Sequence, residues 1–278
     1  MSIIINLFFV FILHFINVNA YDVTQLNVGV WLSGAAYCDI NEYDKMILNG
    51  PAMGFIYKHK MIDIKTDLQG YIGIIPSTES IYVVLRGTSS IINWLDDLEV
   101  KLVNYTSFPD CNCKVHYGFY KSVLGIKNMT IDYVKILKKE YPNYSVIVTG
   151  HSYGAATGQL LAMELVKENI KVKLYNYGQP RVGDKNYAMY VNKFLDEYYR
   201  TTHNKDLVVH LPPNNNFDYF HSCIEIYENE SNILVTCSEE NCEDPNCSNQ
   251  YKIYQTNTYD HSYYLKHFLD CYSSIVNE

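Results

Sequence analysis

Residues 146–161 read VIVTGHSYGAATGQLL and set Ser152 between Gly150 and Gly154 in a Gly-x-Ser-x-Gly pattern. A serine hydroxyl attacks an acyl carbon only when a neighbouring base removes its proton, so the chemistry on offer is acyl transfer. Glycine and serine are common, and the pentapeptide alone is weak. Its flanks carry more weight. Val146, Ile147 and Val148 form a short β-branched run, and the residues from Ala155 to Glu168 have helical spacing with Leu161, Leu165 and Val166 on a buried side. A strand that turns directly into a helix is the setting in which both glycines have a mechanical task. A strained elbow that lifts the hydroxyl above a sheet leaves no room for Cβ atoms beside it.

A nucleophile on such an elbow needs an acid and then a histidine later in the chain, each on a loop at the carboxyl edge of the sheet. The histidines that follow are His203, His210, His221, His261 and His267. The first carboxylate after the strand-like run YYRTTH is Asp206, in HNKDLVVHLPP. Asp218 is the nearest rival, but PPNNNFDYF reads as a loop with no strand before it. With Asp206 as the acid, His203 is out of order and His210 continues the same short extended run. His221 and His267 remain possible. His261, in YDHSYY, follows a long loop and precedes an expected terminal helix, a position from which a loop reaches back over the sheet, and is the expected base. Ser152 would attack, His261 would take and return the proton, and Asp206 would fix the imidazole tautomer. The developing oxyanion needs two donors: the backbone N–H of Tyr153 and a group from the loop VVLRGTSS, with Thr88 as the best candidate.

Ser80 to Arg86, Val146 to Thr149, Lys173 to Tyr177 and Tyr198 to His203 have the composition of strands. Tyr117 to Lys139, Tyr153 to Glu168 and Asp184 to Leu195 read as the helices between them. This alternation predicts an α/β fold with a mostly parallel central sheet covered by helices on both faces. Ser152 then falls at the carboxyl end of a central strand, where open α/β sheets place their sites.

Residues 1–20 contain no Lys, Arg, Asp or Glu and end Val18-Asn19-Ala20, the pattern of a secretory signal peptide cleaved after Ala20. No linker, repeat or charge block divides residues 21–278, so one catalytic domain, secreted and extracellular, with no integral membrane segment after signal removal, is expected. All eight cysteines lie in this part, and an even count in a secreted chain predicts disulfides. Cys111 and Cys113 are too close for a usual zinc pair, and Cys237, Cys242 and Cys247 are spread along a loop, so neither a metal nor another cofactor is called for. Asn104, Asn128, Asn143, Asn229 and Asn246 each open a glycosylation sequon. A net charge of −8 argues against a nucleic-acid or anionic-membrane surface held by charge. A monomer is assumed.

Six motifs occur in one order: RGTSSIINWLDDL, VHYGFY, TGHSYGAA, YGQPRVGD, NKDLVVHLPP and DHSYY. With SGAAYC near Cys38 they make nearly the whole mature chain resemble the fungal-type class 3 lipase family, a branch of the α/β-hydrolases that also holds feruloyl esterases. The resemblance implies Ser152, Asp206 and His261 as a triad and Thr88 with Tyr153 as the oxyanion hole. It further implies that Asp97, in a lid segment, bonds the Thr88 hydroxyl when the lid is open. VHYGFY and YGQPRVGD look like structural signatures and are assigned no chemistry. Together with chain order, the resemblance implies a Cys38–Cys271 disulfide, and as in relatives Cys237–Cys247, leaving Cys223–Cys242 and Cys111–Cys113.

The segment Ser89 to Val100, SSIINWLDDLEV, puts Ile91, Ile92, Trp94, Leu95 and Leu98 on one broad helical face, with Asn93, Asp96 and Asp97 opposite and Glu99 spoiling the stripe. Periodicity alone also fits an ordinary surface helix. Its place directly after the oxyanion loop makes it a lid over the nucleophile. The expected function is therefore hydrolysis of a carboxylic ester of lipid at an oil–water interface, in the first place triacylglycerol. The alternatives are a feruloyl-type or other polar-ester esterase and, from another class, a secreted lipid-binding protein without chemistry.

Overall fold

The computed structural model describes residues 21–88, 90, 99–195 and 197–276, with the side chains of residues 215 and 216 left aside. The signal segment 1–20 and the lid residues Ser89, Ile91, Ile92, Trp94, Leu95, Asp97 and Leu98 lie outside the described residues; Glu99 and Val100, at the end of the expected lid, belong to no helix.

One eight-stranded sheet is built from β1 (Ile56–Asp63), β2 (Leu68–Ile75), β3 (Ser80–Leu85), β4 (Ser145–His151), β5 (Val172–Tyr177), β6 (Tyr198–His203), β7 (Glu225–Glu228) and β8 (Leu234–Thr236). Their order across the sheet is their order in the chain. The contacts from β3 through β7 are parallel, while β1, β2 and β8 pair antiparallel at the edges. Parallel neighbours need crossovers. Three of the four are supplied by α2 (Tyr117–Glu140), α3 (Tyr153–Lys167) and α4 (Lys185–Phe194), which follow β3, β4 and β5 in turn; the β6-to-β7 crossover has no long helix, and α1 (Val23–Ala35) precedes the sheet. This is the α/β-hydrolase fold.

Alternation along the strands divides the core into two layers. On β3, Ile81, Val83 and Leu85 pack toward α2 and α3, with Phe119, Val123 and Leu160. Tyr82 and Val84 point the other way and meet α1 through Leu26, Val28 and Val30. That second layer is rich in tyrosine, and α1 accepts three of its hydroxyls: Tyr71 donates to the Leu32 carbonyl at 2.7 Å, Tyr82 to Gln25 Oε1 at 2.6 Å and Tyr177 to the Leu26 carbonyl. Burying a phenol is tolerated when its O–H finds an acceptor. Many of the chain's 27 tyrosines thereby have a packing role.

Two local expectations differ from what forms. The run after Asp206 is not extended: Asp206 Oδ1 accepts the Val208 N–H at 2.7 Å and turns the chain at once into a 3-10 turn, Val208–His210. The terminal helix is a single turn, Cys271–Ser274, preceded by a small hairpin of Tyr263–Tyr264 with His267–Phe268. It stops because Ile275 leaves the helix to bridge Leu48.

Four disulfides join Cys38 to Cys271, Cys111 to Cys113, Cys223 to Cys242 and Cys237 to Cys247. The first spans 233 residues and fastens the turn after α1 to the C-terminal helical turn. Of the sequon asparagines, Asn104, Asn128, Asn143 and Asn246 are exposed and Asn229 is half-buried. No helix among the described residues is long and apolar enough to cross a membrane.

Candidate active site

The elbow joins β4 to α3 within one residue. Ser152 has φ +58° and ψ −125°, a conformation costly for a residue with a Cβ. The neighbours make room for it. A Cβ on Gly150 would fall 2.5 Å from the Gly154 carbonyl oxygen, and one on Gly154 would fall 2.3 Å from the Leu85 carbonyl oxygen. Both positions therefore exclude any side chain. The Ser152 N–H donates to the Tyr177 carbonyl at 3.0 Å, and the Ser152 carbonyl accepts from Ala155 and Ala156, which locks the turn to β5 on one side and to α3 on the other.

Asp206 and His261 come together 55 residues apart: Nδ1 of His261 is 2.8 Å from Asp206 Oδ2. An ionised carboxylate only accepts, so Nδ1 carries the hydrogen and Nε2 keeps the lone pair a general base requires. Asp206 also accepts from the Tyr264 hydroxyl and the Val208 amide. Burial pushes the Asp206 carboxyl up, but the His261 ring and these donors outweigh it and hold the group below the usual carboxylate range. Ser152, Asp206 and His261 are 1%, 0% and 2% exposed, so the constellation is withdrawn from water. Ser152 Oγ and His261 Nε2 are each buried with no hydrogen-bond partner among the described residues. Such bonds often tighten only when substrate arrives.

Among the described residues, Thr88, half-buried in the loop after β3, makes long contacts to Ser90, with its Oγ1 at 3.4 Å from the Ser90 amide and 3.5 Å from the Ser90 carbonyl. Tyr153 is the first residue of α3, where backbone N–H groups lack intrahelical acceptors and can face an anion. Asp218, the rival acid, is exposed in a left-handed turn. His221 Nε2 donates to the Val209 carbonyl, and His267 bonds Ser274 and stacks on Trp31; among the described residues neither is bonded to Asp206 as His261 is.

Sequence reasoning missed the supports. Gly178, in the YGQP stretch set aside as structural, has φ +56°, and a Cβ there would lie 2.8 Å from His261 Cε1 and 3.1 Å from Asp206 Oδ2. Tyr264 follows His261 by three residues and bonds Asp206 directly. Buried Arg181 forms two 2.8 Å contacts with Glu243 and gives a third nitrogen to the carbonyls of His210 and Pro212, which clamps the end of the acid loop. The Gly-Gln-Pro-Arg spacing was a visible signal for Gly178 and Arg181. Nothing local pointed to Glu243, which lies 62 residues from its partner.

Residues 82–216 match the family described as Lipase (class 3). The Rhizomucor miehei lipase is 34% identical over 257 residues, covering 90% of this chain and 66% of its own length. The Rhizopus niveus lipase is 33% identical over 194 residues, covering 66% of this chain and 47% of its own. This chain thus spans 66% and 47% of the lengths of those relatives. Among solved structures, a triacylglycerol lipase whose catalytic centre is formed by a serine protease triad superposes with a TM-score of 0.82 at 30% identity, over 90% of this chain and 96% of that one.

Proposed function

The chain belongs to the class 3 lipase family, and from that premise we propose that it is a secreted serine ester hydrolase acting on lipid, in the first place a triacylglycerol lipase. The observation that carries the reading is the buried His261–Asp206 pair beside a serine held at positive φ on a strand–helix elbow. In this reaction Ser152 Oγ bonds to the acyl carbon while His261 Nε2 takes its proton. The negative carbonyl oxygen is held by the amides of Tyr153 and Thr88. Collapse of the intermediate breaks the bond to the leaving alcohol, which receives the proton from His261. A water, deprotonated by the same nitrogen, then releases the acid and restores Ser152. Asp206 stays ionised and stabilises the imidazolium.

The apolar segment after Thr88 acts as the lid, with Ile91, Ile92, Trp94, Leu95 and Leu98 inward in water and Asp97 bonding Thr88 on opening. A lipid surface offsets the exposure of that face at roughly 25 cal/mol per Å² of apolar area. Four disulfides and the signal-like residues 1–20 support a secreted protein, with glycans on the exposed sequons and residues 21–278 acting as one catalytic domain.

A series of p-nitrophenyl esters from acetate to palmitate, run beside methyl ferulate, tests the substrate class. Long acyl chains should be cleaved, with a steep rise once a short-chain triglyceride passes its solubility limit. Fluorophosphonate should label the protein and lose its label in Ser152→Ala. A smooth saturation curve with strong activity on methyl ferulate would move the assignment to a polar-ester esterase, and absence of both label and turnover would leave a binding protein.

A further inference from the structure

The residue before the nucleophile carries a side chain to which the reaction above gives no task. His151 ends β4 and is 4% exposed, yet both of its ring nitrogens are engaged. Nδ1 lies 2.7 Å from the Tyr37 hydroxyl, and Nε2 lies 2.8 Å from the backbone carbonyl oxygen of His261. A carbonyl can only accept, so Nε2 bears the hydrogen. Burial, and then the nearby His261 ring, push His151 well below the ordinary imidazole range although Asp206 favours its charged form. The ring is neutral, and its Nδ1 lone pair accepts from Tyr37. One tautomer satisfies both bonds.

Tyr37 is itself confined. Its oxygen lies beside the Gly87 backbone amide, and a Cβ on Gly87 would stand 2.0 Å from that oxygen and 2.9 Å from the His151 carbonyl oxygen. The next residue, Cys38, is bonded to Cys271. Three separate segments therefore meet at this pair: the loop carrying Thr88, the elbow carrying Ser152 and the segment carrying His261. Asp206, Tyr264 and Gly178 fix the ring of His261 from one end; only the His151 bond ties its backbone to the elbow among the hydrogen bonds described.

Resting on the hydrolase reading, we propose that His151, oriented by Tyr37, is a positioning residue that sets His261 Nε2 relative to Ser152 Oγ. It does so by donating to the His261 carbonyl while staying uncharged beside a ring, 4.4 Å away between centroids, that becomes cationic during turnover. A second positive charge there would oppose the imidazolium.

The test measures kcat and KM on soluble p-nitrophenyl butyrate, the rate at which fluorophosphonate labels Ser152, and the downfield proton resonance of His261 Nδ1–H. His151→Leu removes the donor and should lower kcat and the labelling rate by roughly tenfold to a hundredfold, as a misplacement of about 1 Å does, with KM unchanged. His151→Gln can still donate at the far end of its side chain, and should recover most of the rate and the parent resonance. If His151→Leu kept parent kcat, labelling and resonance while losing only thermal stability, the proposal would be overturned. Should that variant fail to fold, Tyr37→Phe decides: it keeps the Nε2 bond but frees the ring, and must cost several-fold in kcat at constant KM. A Tyr37→Phe enzyme with parent kinetics overturns the proposal as well. A parent protein that neither hydrolyses esters nor takes the label overturns the hydrolase reading itself, a result distinct from active enzyme with indifferent variants.

Discussion

Replacing Gly178 by Ala adds one methyl group against the His261 ring. Its Cβ would stand 2.8 Å from His261 Cε1, 2.9 Å from Nδ1 and 3.1 Å from Asp206 Oδ2, whereas carbon contacts settle at about 3.5–4.0 Å. The ring must retreat by about 0.7 Å or more. It has little freedom to do so without loss, because Nδ1 is bonded to Asp206 and the backbone carbonyl to His151. The backbone adds its own cost, since φ +56° with a Cβ is unfavourable by about 1–2 kcal/mol. For a chain of this size that should lower Tm by roughly 2–8 °C. The kinetic loss should be larger in proportion: a 1 Å displacement of a reacting group costs about a hundredfold, here in kcat with KM held. Calorimetry beside p-nitrophenyl butyrate kinetics separates the two effects. If Gly178→Ala lowered Tm as stated but kept kcat within threefold of the parent, the reasoning that His261 is held between Gly178 and Asp206 for catalysis would be wrong.

Other expectations follow from the same contacts. Ser152→Ala, His261→Ala and Asp206→Ala should each abolish most ester hydrolysis with strongly non-additive losses, and near-parent turnover by Asp206→Ala beside an inactive Asp218→Ala would refute the acid assignment. Burial raises the Glu243 carboxyl, but bonds to Arg181 outweigh this and hold it well below the usual range. A depressed folded value means that its stabilisation is present above about pH 4.3 and is lost as pH falls below that. Tm of the parent should therefore drop steeply in acid, while Glu243→Gln should be less stable at pH 7 and show a shallower acid limb; identical slopes would sink this. Tyr264→Phe removes a donor to the Asp206 carboxylate and should shift the acid loss of activity to higher pH in a pH–rate profile. Cys38→Ser with Cys271→Ser opens a loop of 233 residues and should cost up to about 5 kcal/mol in urea unfolding.

The elements that could be read from the chain were those with a local signal. β3 through β6 and α2 through α4 announce themselves by β-branched runs and helical periodicity, and their limits fall within a residue or two of the reading. α1 gave no such signal, because VTQLNVGVWLSGA is buried on nearly every side and so has no polar face to set a period. β1, with Lys58, His59 and Lys60 in its centre, shows little strand composition, and its pairing with β2 is a tertiary choice. The elbow and the chain order of acid and base pointed to Ser152, Asp206 and His261. The contacts that steady them were not legible, since Tyr37 meets His151 across 114 residues and Arg181 meets Glu243 across 62. Side chains joined over such distances leave no spacing to read.

Because the strands lie across the sheet in the order in which they are synthesised, each new strand from β2 onward can add to an edge already present. The ribosome thus delivers the elbow, then the acid, and only near the end the segment holding His261 and Cys271. Until the last segment docks beside α1, where Cys271 is bonded to Cys38, Asp206 lacks its His261 partner. On the proposed mechanism, the arrangement of Ser152, Asp206 and His261 is therefore the last part of the molecule to be assembled.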